Sequence, residues 1–299
     1  MIGGVVVLAV AVVVSVWAPR PGGRVGEGRW TVRSPSAMIF AMKILVVGGS
    51  GLLGHHVLEQ LRLRGHEATT VARTPREGVD RVLDVTTASE DDLRELLAGH
   101  DGVVFAGGSD DRRVDKGPVA PRLHAGNVAP VVALLKAARE VGCTRAAVLA
   151  SYYTYFDRVH PEWGLAAKHP YVRSRIEQAK LARESAGPDL PVAIIEVPYV
   201  FGVAPGRVPE WSVPVVKWVR SSAPLFAPRG GSAATSARGV GIVTVDALED
   251  GSGADIPVVE ETCAGRTCSP AWPAPPESLV RSARCPPASS ARCSASAVA

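Results

Sequence analysis

The sequence predicts an α/β fold built on a doubly wound parallel sheet, and three observations carry that prediction. A continuous apolar run, "KILVVGG" (Lys43 to Gly49), leads straight into a glycine-rich turn and then an amphipathic stretch. Short apolar runs and amphipathic stretches go on alternating as far as Ser151. Finally, 299 residues with 46% hydrophobic and 21% charged content can bury one large core or two small ones. A run with no polar face suits a central parallel strand, because crossover helices cover both sides of such a sheet.

The elements follow in order. The first compact one begins at Met42, and the helix "HHVLEQLRLRG" after the glycine turn is closed by Gly65. The second strand is "EATTVAR", Glu67 to Arg73. "DRVLDVTT" predicts a short third strand ending at Asp84 and Val85, and "SEDDLRELLAG" a helix with Ser89 as N-cap. "HDGVVFAGG" is a fourth buried strand running into Ala106, Gly107 and Gly108. "NVAPVVALLKAAREVG" is a helix opened by Asn127, and "TRAAVLAS" is the fifth strand, ended by Ser151. Nearer the C-terminus, "GGSAATSARGVGIVTVDALEDG" reads as a loop followed by a helix.

The glycine turn carries the first chemistry. Gly48 permits the tight turn, Gly51 lets main-chain N–H groups approach a diphosphate, and Gly54 lets helix and strand pack closely. The helix N-terminus at Leu52 and Leu53 favours the same negative charge. Between a buried strand and a helix, this triplet predicts a Rossmann-type dinucleotide site, with Ala106 and Gly107 small where a cofactor would cross the sheet. A site that prefers NAD carries Asp or Glu near the end of the second strand, for the ribose hydroxyls. Here that place holds Arg73, with Arg76 three residues on, so NADP is expected in preference to NAD. The alternative is that both are solvated loop arginines.

With these residues in place the chain resembles the extended short-chain dehydrogenases/reductases, the NAD(P)-dependent epimerase/dehydratase family. The resemblance covers roughly residues 42–262. It rests on Gly48, Gly51 and Gly54, the Asp84-Val85 pair, "FAGG" and Asn127. Ser151, Tyr171 with Ser174 and position 175, and "EVPYVFGVAPG" complete it. It implies that Asp84 and Val85 contact the cofactor and that Ser151 donates a hydrogen bond to the substrate oxygen. Tyr171 would be the acid/base that exchanges a proton as hydride moves to or from nicotinamide. The family's lysine falls on Arg175, which departs from the pattern.

The departure can be weighed physically. A free tyrosine titrates near 10, so it serves as a base at neutral pH only beside a cation that favours the phenolate. Four residues along a helix place position 175 next to Tyr171. Arginine keeps the charge, but it passes a proton poorly and presents a broad planar fork where lysine presents a compact head. Lys168 lies three residues before Tyr171 and is a poor substitute. The plainer readings are a strand-end cap for Ser151 and a structural tyrosine at a helix start. Tyr152, Tyr153 and Tyr155 read as pocket lining, and His160 and His169 as solvated.

Charge excludes one partner class. Each end, residues 1–41 and 263–299, holds four arginines against one glutamate, so the overall +4 leaves residues 42–262 at −2. No basic face remains there for nucleic acid. Four of five cysteines (Cys263, Cys268, Cys285, Cys293) crowd the tail at spacings that match no tight metal site, and no metal is expected. The apolar run after Met1 is short for a membrane span and lacks a basic leader; a start placed too early is favoured over an anchor. The Ala/Ser/Pro/Arg-rich tail reads as disordered, or as the product of a shifted frame.

The expected organisation is therefore an N-terminal extension (1–41), a dinucleotide-binding domain (42–198), a small substrate-binding portion (199–262) and a tail (263–299). Trp211 and Trp218 suit a neutral or apolar ligand, with Arg207, Lys217 and Arg220 as nearby cations. The expected protein is a cytoplasmic oxidoreductase acting on a small carbonyl or alcohol, and a homodimer is compatible with it. The alternatives are a non-catalytic NADP-binding sensor or scaffold, and a sugar-nucleotide epimerase or dehydratase.

Overall fold

The computed structural model describes residues 41–110, 117–222 and 231–264, so the readings of residues 1–40 and 265–299 lie outside the described residues. In chain order the first elements are β1 (Lys43–Val47), α1 (Leu52–Leu63), β2 (Glu67–Ala72), β3 (Arg81–Val82), α2 (Glu90–Leu97) and β4 (Gly102–Phe105). Then come α3 (Val119–Leu123), a π-turn (His124–Val128), α4 (Ala129–Glu140), β5 (Arg145–Ser151) and α5 (Tyr152–Val159). After these follow α6 (Leu165–Lys168), α7 (Pro170–Ala186), β6 (Val192–Val197) and β7 (Tyr199–Phe201). The last are α8 (Ser212–Val219), β8 (Gly231–Ser236), α9 (Ala237–Glu249), β9 (Asp255–Pro257) and β10 (Glu261–Ala264).

The described residues form two units. The larger runs to Arg207 and resumes over Thr235–Glu260, so α9 and β9 belong to it; the smaller holds Val208–Ala234 and Glu261–Ala264. The larger is a seven-stranded sheet in the order β3-β2-β1-β4-β5-β6-β9, with every pairing parallel. This is the doubly wound arrangement, with its switch point between β1 and β4. In the smaller unit β10 pairs antiparallel with β8, Thr262 opposite Ala233.

Strand alternation explains why the central runs have no polar face. Leu45, Val47, Val103, Phe105, Val148 and Ile194 point into one apolar cluster. Ile44, Val46, Val104, Leu149 and Ile195 point into the other. Helices α2, α4 and α7 cover the first face, and α1 and α9 the second. Cys143 sits in the first core with its thiol directed at the His100 carbonyl, 3.3 Å away. Burial, then the charge of Asp101, pushes that thiol up to about 11. Since the thiolate is the reactive form, iodoacetamide at pH 8 is expected to leave the Cys143 peptide unlabelled in the native protein and label it in urea. Peptide mass mapping reads both.

Three local expectations change. β3 ends at Val82, short of Asp84: the Asp84 carboxylate accepts from the Thr86 N–H (3.0 Å) and hydroxyl (2.7 Å), an Asx turn that stops the ladder. Asn127 lies inside the π-turn and does not open the helix; α4 starts at Ala129. The segment expected as a loop before α9 forms β8, because β10 supplies a ladder that its Gly/Ser/Ala/Thr composition does not advertise. Ser89 caps α2 in a full capping box with Asp92, as its spacing predicts.

A buried carboxylate on β6 holds four elements together. Glu196 is 0% exposed, and accepts from the Thr154 hydroxyl (2.7 Å) and from both terminal nitrogens of Arg158 (2.7 and 2.8 Å). Arg158 also reaches Asp255, which in turn binds Arg183 at 2.8 Å. The Arg158→Met substitution leaves the Glu196 charge buried with a hydroxyl as its remaining partner. Losing one member of a buried pair costs about 3–5 kcal/mol, and the partial exposure of Arg158 brings this to about 2–3. The expected fall in Tm is about 5–10 °C, read by thermal melting; a shift under 1 °C contradicts it.

Candidate functional site

The site begins where β1 ends. Gly48 (φ 83) is in the left-handed region that favours glycine; its N–H donates to the Val71 carbonyl at 2.8 Å, tying the loop to β2. The Gly51 N–H closes the turn onto the Gly48 carbonyl at 2.9 Å. Helix α1 then starts at Leu52, with Gly51 as an N-cap that offers no side chain and no acidic residue in the first turn. The leading N–H groups of a helix have no intrahelical partner, so the amides near Leu52 and Leu53 are available to an anion. A Cβ on Gly54 would lie 2.3 Å from the Gly48 carbonyl oxygen, and one on Gly48 would lie 3.0 Å from the Ala106 carbonyl. A dinucleotide diphosphate fits such a cradle of close main-chain approach.

At the end of β2, Arg73 and Arg76 are exposed. Asp84 sits near Arg73: its carboxyl is held below the usual range first by the Thr86 hydroxyl, then opposed by burial, with further lowering from Arg73. Val85 is buried in the first core cluster. Asp80, further along the same loop from Arg76, is occupied by the Thr70 N–H at 2.7 Å.

From Gly48 the strip Ala106-Gly107-Gly108 leads to the second half of the site. A Cβ on Gly108 would meet the Arg175 guanidinium at 2.9 Å and the Asn127 side-chain oxygen at 3.0 Å. Arg175 is 7% exposed. Its Nε donates to the Tyr171 hydroxyl at 3.3 Å, a second nitrogen donates to the Gln178 amide oxygen at 3.0 Å, and the guanidinium carbon lies 5.3 Å from the Tyr171 ring centre. Gln178 donates to the Asn127 carbonyl at 2.8 Å. The Asn127 amide grips the Ser109 main chain and donates to the Ser174 hydroxyl at 3.1 Å. The expected pair Tyr171 and Arg175 is thus held in a buried polar network, with the cation on the tyrosine oxygen.

Ser151 ends β5 and caps α5, its hydroxyl accepting from the Tyr153 N–H at 3.4 Å. The Tyr153 ring packs edge-on against Tyr171, centres 6.3 Å apart, which joins the Ser151 segment to the Tyr171 segment. Burial, Tyr155 and Glu196 push the Tyr152 phenol up to about 12. The Tyr152 phenolate is therefore harder to form than that of a free tyrosine. Lys168 turns back on its own loop, donating to the Trp163 carbonyl at 2.6 Å, and His160 stacks on Trp163 at 4.0 Å. Gln178 escaped the sequence reading. The signal available was its position seven residues after Tyr171 and three after Arg175, on one helix face.

A family model described as NAD(P)H-binding matches residues 48–200, just over half of the chain. The chain belongs to this NAD(P)H-binding family. No protein of curated function matches its sequence. Among solved structures, this NAD(P)H-binding protein is similar to the UDP-N-acetylglucosamine 4-epimerase of Bacillus cereus, at 17% identity and TM-score 0.61, over 75% of this chain and 78% of that one. It is also similar to a dTDP-4-dehydrorhamnose reductase of Clostridium acetobutylicum (17% identity, TM-score 0.59, 75% and 77% covered). A third is a short-chain dehydrogenase/reductase superfamily protein of Agrobacterium tumefaciens with bound NAD (17% identity, TM-score 0.58, 75% and 79% covered). These likenesses are of fold. No helix among the described residues is long and apolar enough to cross a membrane.

Proposed function

We propose that the protein is a cytoplasmic NADP-dependent oxidoreductase acting on a small carbonyl or alcohol. The observation that carries this reading is the Arg175 Nε contact with the Tyr171 hydroxyl, at the end of the glycine strip that starts from the diphosphate cradle. When bound, the nicotinamide supplies or takes up hydride. Tyr171 then exchanges a proton with the substrate oxygen, and Ser151 donates a hydrogen bond to that oxygen once its hydroxyl turns from the helix cap. Arg175 holds the Tyr171 hydroxyl through its Nε and, through Gln178, is tied to the Asn127 carbonyl. The sugar-nucleotide reading gains no residue-level support from relatives at 17% identity.

Preference for NADP rests on Arg73, exposed where a carboxylate would otherwise meet the ribose hydroxyls. Titration of the purified protein with NADPH and NADH tests the reading, with NADPH expected to bind more tightly. In Arg73→Glu, NADPH binding is expected to weaken about 10- to 100-fold, as for loss of a hydrogen bond to a charged group, with NADH unchanged or improved. Equal loss for both nucleotides would refute the 2′-phosphate role. Absence of turnover across a carbonyl screen, with tight NADPH binding, would favour the sensor.

A further inference from the structure

Downstream of β7 the chain returns to the glycine loop. Residues 204–207, "APGR", close a tight turn: the Ala204 N–H donates to the Arg207 carbonyl at 3.0 Å and the Arg207 N–H to the Ala204 carbonyl at 2.8 Å. Pro205 followed by Gly206 at φ 65 is the pairing a type II turn requires. The segment is pinned to α1, since His56 Nε2 donates to the Val203 carbonyl at 3.0 Å. Arg207 is thereby delivered to the cofactor loop, where its Nε donates to the Ser50 carbonyl at 3.3 Å.

No carboxylate among the described residues pairs with Arg207. Among the described residues one donor of its fork is used and the terminal nitrogens are left over. The loop beneath carries no acidic residue in the first turn of its helix. A half-buried cation held on a rigid turn, next to a cradle built for negative charge, needs an anion to complete it. Arginine's planar fork suits phosphate oxygens two at a time.

We infer that Arg207, held on the glycine loop at Ser50, clamps the diphosphate of the bound dinucleotide. The inference rests on the reading of Gly48 to Gly54 as the dinucleotide cradle. It assigns to the cofactor a cation that composition alone would offer equally to a sugar-nucleotide substrate. The clamp is indifferent to the 2′-phosphate, so its loss affects NADP and NAD alike, unlike that of Arg73.

Arg207→Gln and Arg207→Lys, each as the full chain, test this by titration with NADPH, NADH and ADP-ribose, alongside UDP-glucose and a thermal melt without nucleotide. Arg207→Gln is expected to weaken NADPH, NADH and ADP-ribose alike, about 10- to 100-fold. Arg207→Lys is expected to recover most of this, and the melting temperature without nucleotide to stay at the wild-type value. Unchanged NADPH affinity in Arg207→Gln overturns the clamp while the cradle stands. The same holds if UDP-glucose binding alone is weakened, or if affinity falls only together with the melting temperature. Failure of the wild type to bind any nicotinamide nucleotide removes cradle and clamp together.

Discussion

Gly54→Val is expected to abolish measurable nicotinamide-nucleotide binding in a protein whose sheet remains folded. The new Cβ would sit 2.3 Å from the Gly48 carbonyl oxygen and 2.8 Å from the Gly48 carbonyl carbon and Gly49 Cα, all main-chain atoms with no rotamer to give way. Relief requires the first turn of α1 to move off the loop. The far end of α1 resists, because Arg64 is anchored to Asp246 (2.6 Å) and Glu249 (2.8 Å) on α9, and His66 to Glu249 at 3.1 Å. Overpacking of this kind costs about 1–3 kcal/mol, which a sheet of this size can absorb. The displaced amides lose their aim, however, and with two charge-assisted hydrogen bonds gone the NADPH Kd should rise at least about 100-fold. Fluorescence titration with a parallel melt measures both. Gly51→Ala makes the contrast: its Cβ meets nothing nearer than the Gly48 oxygen at 3.1 Å, and the loss should be smaller. Wild-type affinity in Gly54→Val would show that the cradle is not where the dinucleotide sits.

Tyr171→Phe is expected to lower kcat by about 10²- to 10⁴-fold, the usual contribution of a positioned acid/base. NADPH affinity should change little, because Arg175 keeps Gln178 when the phenol oxygen is removed. The pairing of a lost rate with retained binding separates a proton-transfer role from a packing role, since Tyr171 also lies against Tyr153. Arg175→Lys is the companion, with an altered rate and a shifted pH profile as its expected result. Full activity in Tyr171→Phe on any carbonyl substrate found would remove the tyrosine from the mechanism.

Much of this geometry was legible in the chain because it is local. A glycine triplet at fixed spacing, an apolar strand before it and a helix after it are all written between Lys43 and Leu63. The same is true of Tyr171 and Arg175, four apart on one helix, and of the Ser89 capping box. What escaped was set by pairing across long separations. Glu196 lies in an apolar strand, and nothing near it in sequence announces Arg158, Thr154 or the Asp255 that extends the network. Arg207 and Ser50 are 157 positions apart. β8 became a strand through its partner β10, although its own residues favour a loop. Asp84 moved out of its expected strand because a side-chain turn competed with the ladder for the same backbone.

The bridge that Gln178 makes between the Asn127 carbonyl and the Arg175 fork also bears on how this chain could change over time. Neither side chain is independent: truncating Gln178 strands a buried guanidinium nitrogen, and a lysine at 175 offers one head where two separate nitrogens now serve Tyr171 and Gln178. A substitution at position 175 is therefore felt at Tyr171 and at Gln178 together. Contacting residues of this sort interact by about 0.5–3 kcal/mol.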